Sequence, residues 1–233
     1  PLVQLPPPPP NPCLANPNYR TYTTVTYGPL LPVAWGQNVT YNNLCPDLGC
    51  ANTGDVNAPT GCAATAIAMV IRYWQQPAGK YNYAAMTVNY VDINVQHLMV
   101  DAGSSLSMQY NCSGSSIGEK IFGGVLLSTS CAQQIANAFK SSYFNYSSAT
   151  SKIYGGDGTT VNTNISYGWP VIFSGYPGWN STLGVPIGDG HIWVCDGSSE
   201  TITDFCMNEV EYMYTTQNLH MNWGWQEYQQ QGK

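Results

Sequence analysis

The sequence is short of charge. Asp, Glu, Lys and Arg together make up 9% of its 233 residues, where ~25% is usual. Seven Lys plus Arg stand against thirteen Asp plus Glu, for a net charge of −6. Nucleic acid is excluded as a partner, because neutralising phosphates takes clustered cations. No apolar run reaches the ~20 residues that a membrane-spanning helix needs, so no membrane span is expected. No secretory leader and no initial Met precede Pro1, from which a processed or trimmed form is expected.

With so few charges, the surface must be covered by Asn, Ser, Thr, Gln and Tyr, the look of an extracellular protein. The length suits one large domain or two lobes sharing a cleft. Eight cysteines in such a chain point to an oxidising compartment, and a secreted location is expected. Their pairing stays open. Cys45 with Cys50, Cys112 with Cys131, and Cys195 with Cys206 are short-range candidates. They leave Cys13 over, free or bridged to another chain. That map keeps Cys62 unpaired; if all eight pair, Cys62 is bridged.

The stretch Thr60–Trp74, TGCAATAIAMVIRYW, organises the chain. Alanine-rich composition with Ala63, Ala66, Ile67, Val70, Ile71 and Trp74 at helical spacing predicts a buried helix. Thr60 is the expected N-cap and Gln75-Gln76-Pro77 the stop. Cys62 then lies in the first turn. There the free N–H groups and the macrodipole favour an anion, so its thiol is expected to ionise more readily. A thiolate is a nucleophile; a small buried cysteine opening a core helix would read the same.

Far downstream, Gly190–Gly197, GHIWVCDG, reads as a strand and a turn. Alternation puts His191, Trp193 and Cys195 on one face and Ile192 and Val194 on the other. Leu219–Trp225, LHMNWGW, reads as a second strand. Cys62, then His191, then Asn222 is the order of a thiol nucleophile, its base and the group that orients the base. Trp223 or Trp225 would shield the bond between His191 and Asn222 from water. At these residues the chain resembles the streptopain-like cysteine peptidases of the papain clan. The likeness rests on GCAATAIAMVIRYWQQP, GHIWVCDG and HMNWGW, with weaker agreement at Gly28–Gln37, GPLLPVAWGQ, and His97–Ser116, HLMVDAGSSLSMQYNCSGSS. It covers roughly Tyr27 to Trp225.

The resemblance implies an α+β, papain-like fold, with a helical lobe carrying Cys62, an antiparallel sheet lobe carrying His191, and a cleft between. It implies a cysteine endopeptidase that hydrolyses protein or peptide substrates through an acyl-enzyme, with no cofactor and no metal. Gln37, in a W-x-Q block with Trp35, is implied as an oxyanion donor beside the Cys62 N–H. Trp35, Trp223 and Trp225 are expected to line or shield the cleft. The family has two glycines before its histidine. Here Asp189 replaces the first, and a carboxylate near His191 would raise the ring's pKa. The family continues past N-W-G-W-G-G into further strands, whereas this sequence has Gln226 and Glu227 and ends at Lys233. C-terminal strands are therefore expected to be missing and a sheet edge open.

Around this frame, Pro1–Pro17 is expected to be a polyproline II tether. Tyr19–Tyr27, YRTYTTVTY, is expected to be a strand of this domain or one lent to a neighbour. Residues 1–27 thus form an extended N-terminal segment and 28–233 the peptidase domain, with homo-assembly through residues 1–27 or Cys13. Helices are expected at Val91–Ala102, stopped by Gly103, at Ala132–Phe144 and at Thr159–Tyr167, and strands at Leu106–Tyr110 and Pro170–Ser174. Ile117–Ser130 reads as an insertion, and Tyr176–Asp189 as a cleft loop with Trp179 as a wall. His97 and His220 read as structural, and Glu200, Asp204, Glu209 and Glu211 as a solvated face rather than a metal site. Sequons at Asn38, Asn111, Asn145, Asn164 and Asn180 would carry glycans if the source glycosylates. The tether, Cys13, the C-terminal strands expected to be missing and the altered glycines motivate a second reading. It is an extracellular structural or filament-forming module that keeps a peptidase-like fold with little or no activity.

Overall fold

The computed structural model describes residues 10–51, 56–88, 90–117, 121–122, 125–126, 131–156, 158–180, 185–187 and 190–225. The first nine residues of the tether, Asp189, Gln226, Glu227 and Lys233 lie outside this set, as does the side chain of Trp179. In chain order come α1 (Pro12–Ala15), β1 (Arg20–Tyr27), α2 (Cys62–Trp74), α3 (Ile93–Ser105), β2 (Met108–Gln109) and β3 (Ser116–Ile117). Then follow β4 (Ile121–Phe122), β5 (Val125–Leu126), α4 (Cys131–Lys140), α5 (Gly158–Ser166), β6 (Val171–Gly175), β7 (Gly178–Asn180), β8 (Val185–Ile187), β9 (His191–Met207) and β10 (Val210–Asn222). Helices pack against an antiparallel sheet, an α+β architecture.

Helix α2 is the centre of the core, buried from Ala63 to Ile71. Its alanines let α3, α4 and β9 approach closely, and Ile67, Met69 and Ile71 fill the space with Val95, Leu98, Met99 and Val194. The cap is Gly61 at φ 88°, not Thr60. The Thr60 hydroxyl instead lies 2.9 Å from the Thr65 hydroxyl inside the helix. A side chain on Gly61 would run into the Ser115 carbonyl at 2.8 Å. Helix α3 starts where Asp92 accepts from the Asn94 N–H and continues through Gly103. There the absent Cβ leaves room for the Tyr110 hydroxyl rather than ending the helix. His97 is exposed.

Strand β9 is the spine of a four-stranded sheet. β10 runs along one side of it, and the other side is shared. β6 pairs with His191–Cys195, and β1 with Ser198–Phe205. The turn expected at Asp196-Gly197 is absent. β9 continues to Met207 and turns at Asn208 and Glu209, both at positive φ. The base of this sheet is covered on both faces. Ile192 and Val194 join the α2 core, while Cys195 joins a second cluster with Val161 and Ile165 of α5. Beyond it, β1 and the distal halves of β9 and β10 form an arm whose outer strands are largely exposed. Two of its carboxylates have neutral partners: Glu200 accepts from Asn162 and Gln217, and Asp204 from Thr21.

Two disulfides form, Cys13–Cys206 and Cys50–Cys112, across 193 and 62 residues. Cys45, Cys62, Cys131 and Cys195 are free. None of the three short-range pairings occurs. Those pairings follow nearness in sequence alone, whereas the long hairpin carries Cys206 out to α1. Cys13 is therefore not left over, and β1 is paired within its own chain. The two features expected to link copies are both engaged internally.

Candidate active site

The segment 28–37 threads past every element that carries a candidate residue. The Leu30 N–H donates to the Asp196 carbonyl at 2.7 Å, Asn222 Nδ2 donates to the Val33 carbonyl at 2.9 Å, and the Thr60 N–H donates to the Gln37 carbonyl at 2.9 Å. That last bond holds half-buried Gln37 beside the turn leading into Cys62. Trp35 behaves differently from the cleft residue expected. It is 0% exposed, with its indole N–H donated to the Thr87 carbonyl, and it belongs to the core. An apolar ring with one satisfied donor is stable inside.

Cys62 is the first residue of α2, half-buried and free. Burial pushes its thiol up, and nearby Cys131 adds to that. The amides of Ile192, Ala63 and Cys62 point at the sulfur and pull the other way, but only in part. The expected ease of ionisation is thus overturned: desolvation outweighs the helix N-terminus. The Ile192 amide among them belongs to the residue that follows His191 on β9.

His191 lies among three indoles. Trp193 and Trp223 stack on it at 5.9 and 6.1 Å, and Trp225 is tilted at 5.1 Å. Its Nε2 is 2.9 Å from the Trp223 carbonyl. A carbonyl only accepts, so Nε2 carries the hydrogen and Nδ1 keeps its lone pair. Burial holds the ring's pKa below the ordinary histidine value, and the Trp223 bond offsets this in part. Both shifts favour a neutral thiol and a neutral imidazole at rest. Asn222 is buried on the same stretch, but its amide donates to Val33 and its oxygen accepts from the Gly224 N–H at 3.3 Å. The acceptor at His191 Nε2 is the backbone carbonyl of Trp223, the residue next to Asn222.

Two participants were not expected from sequence. Trp193 shares the face of His191 by strand alternation, a signal that was present. The Trp223 carbonyl has no side-chain signature at all. Among the described residues, no group of three His, Cys, Asp or Glu is arranged to hold a metal ion. The arrangement offers a helix-terminal sulfur lined by amides and, on the adjoining strand, an imidazole with a free lone pair. That is equipment for nucleophilic attack assisted by a base. A family model described as the Peptidase C10 family matches residues 35–91 and 78–231. No curated protein and no solved structure matches the chain.

Proposed function

Because the chain belongs to the peptidase C10 family, the streptopain family of papain-clan cysteine peptidases, we propose that it is a secreted endopeptidase acting through Cys62 and His191. The observation that carries the reading is the His191 ring, bonded through Nε2 to the Trp223 carbonyl and placed at the start of β9, the strand that packs against the helix opened by Cys62. In the proposed cycle, Nδ1 of His191 takes the thiol proton as sulfur attacks the scissile carbonyl. The same nitrogen then returns the proton to the leaving amine. Water, activated by the same ring, hydrolyses the acyl-enzyme and regenerates the thiol. The Cys62 N–H and the Gln37 amide would hold the oxyanion, which needs donors fixed before charge develops. Trp193, Trp223 and Trp225 would keep water from the imidazole, and Asn222 would fix the backbone turn that presents the Trp223 carbonyl.

On this reading the α2 and sheet regions are the two lobes of a papain-like fold spanning residues 28–233, and residues 1–27 are an N-terminal extension. Secretion is supported by two disulfides, which persist in oxidising compartments. No described helix is long and apolar enough to cross a membrane. The reading as a structural module is not favoured, since Cys13 and β1, which would link copies, are engaged within the chain.

The test is turnover of an unfolded protein under mild reductant. Cys62→Ala is expected to lower kcat by more than about 10³-fold with an unchanged circular-dichroism spectrum. Equal cleavage by wild type and Cys62→Ala would sink the proposal.

A further inference from the structure

We propose that His220, held by buried Asp196, is a positioning residue that sets the Trp223 carbonyl on His191; this rests on the peptidase reading above. Asp196 lies on β9, on the same strand as His191, and is 1% exposed. A buried carboxylate is costly unless each oxygen is satisfied. Here Oδ1 accepts from His220 Nδ1 at 2.6 Å and Oδ2 from the Leu31 N–H at 3.2 Å. The Asp196 backbone carbonyl takes the Leu30 N–H as well. One residue therefore ties together β9, β10 and the segment 28–37.

Position gives the clamp its meaning. Up to His220, β10 pairs with β9 in one register, and between His220 and Met221 the register shifts. A shift of this kind re-aims every residue beyond it. Past it, Asn222 faces Val194 and the Trp223 carbonyl reaches His191. The His220–Asp196 pair sits at the last residue before the shift. Gly197, opposite His220, makes room for the ring to fold toward Asp196. A Cβ there would lie 3.0 Å from His220 Cβ and 3.1 Å from the Tyr27 carbonyl. The same clamp steadies the segment whose Val33 carbonyl holds Asn222. An ordinary exposed ion pair would matter little. In this one the carboxylate side chain is 2% exposed while the imidazole is 56% exposed, so the ring can be altered without opening the core.

The experiment compares wild type with His220→Ala, His220→Asn and His220→Gln. An asparagine can present Nδ2 where the ring presents Nδ1, and glutamine puts its amide at the wrong place. Alanine and glutamine are expected to lower kcat about ten- to a hundredfold with KM nearly unchanged, the cost of a misplaced base. Asparagine should restore most of it. Nitrogen-15 spectra of the histidines, three in wild type and two in each variant, give the second readout. His191 should be the Nε2–H tautomer in wild type and His220→Asn, and a mixture in the other two. If alanine fails to fold, the glutamine variant carries the test. Unchanged kcat and tautomer in His220→Ala or His220→Gln overturn the proposal, as does a kcat loss that leaves the tautomer intact. A wild type that cleaves nothing, yet whose His191 tautomer depends on His220, would sink the peptidase reading and leave the clamp standing.

Discussion

The same two strands, β9 and β10, pass through two unlike regions. At the base, Ile192 and Val194 are sealed against α2, and Cys195 against α5. On the arm, β10 is exposed at nearly every residue, and so is β1 on the other side of β9. The base is held by apolar burial. The arm is held by cross-strand pairs: Thr24 and Thr201 hydroxyls 2.9 Å apart, Phe205 stacked on Tyr212 at 5.6 Å, Arg20 over the Phe205 ring, and the Cys13–Cys206 bridge near its tip. The difference teaches where geometry can be exact enough for chemistry. A base and a nucleophile need a support that does not yield, and only the base of the sheet has a core behind each face.

That contrast can be broken or sharpened by substitution. The largest effect is expected at the base. Ile67→Ala, at a fully buried position, should lower unfolding free energy by about 2–5 kcal/mol, read by urea denaturation. Removing the bridge with Cys13→Ala and Cys206→Ala should cost about 2–4 kcal/mol. Hydrogen exchange should show the loss concentrated in β1 and the distal hairpin, while kcat/KM stays within about twofold, because distant sites act independently. A fall in kcat/KM as large as that of a site variant would erase the distinction between the regions.

A smaller effect follows from pH. The folded pKa of His191 is depressed by burial. The unfolded chain therefore takes up this proton first as pH falls through ~6.5, and stability from this group is full above that value and lost below it. The denaturation midpoint should drop from pH 7 to pH 5, and His191→Gln should flatten that slope. The acid limb of kcat/KM should likewise lie below the ordinary histidine value. The smallest effect is expected on the arm, where Tyr22→Ala removes a side chain 63% exposed. It should cost less than about 1 kcal/mol, the range of a cross-strand pair.

The sequence disclosed most where one region buries one pattern. The alanine run of α2, the apolar spacing of Ile135 and Phe139 in α4, and the alternation His191–Cys195 each encode a face that meets a core. It disclosed little on the arm. From Ser198 to Asn218 polar residues stand on both faces, so periodicity offers nothing to read, and a long hairpin looks like a loop. The Cys13–Cys206 bridge was hidden for the same reason, since its partners meet only once that hairpin exists. At the site, Cys62, His191 and Gln37 had side chains to announce them. The carbonyl of Trp223 had none, because a backbone acceptor leaves no mark in the residue types. The thiol's ionisation was misjudged because helix position is visible in sequence and desolvation is not.

The Cys13–Cys206 bridge, closed across 193 residues, also changes what damage can do to the molecule. Both Cys62 and His191 lie inside the loop it closes. A peptidase is exposed to cuts by its own copies, and an exposed loop is where such cuts fall. A single nick anywhere between the two bridged cysteines leaves the halves covalently joined, with Cys62 and His191 still on one molecule. Nicked protein would run at full mass without reductant and fall into two fragments with it.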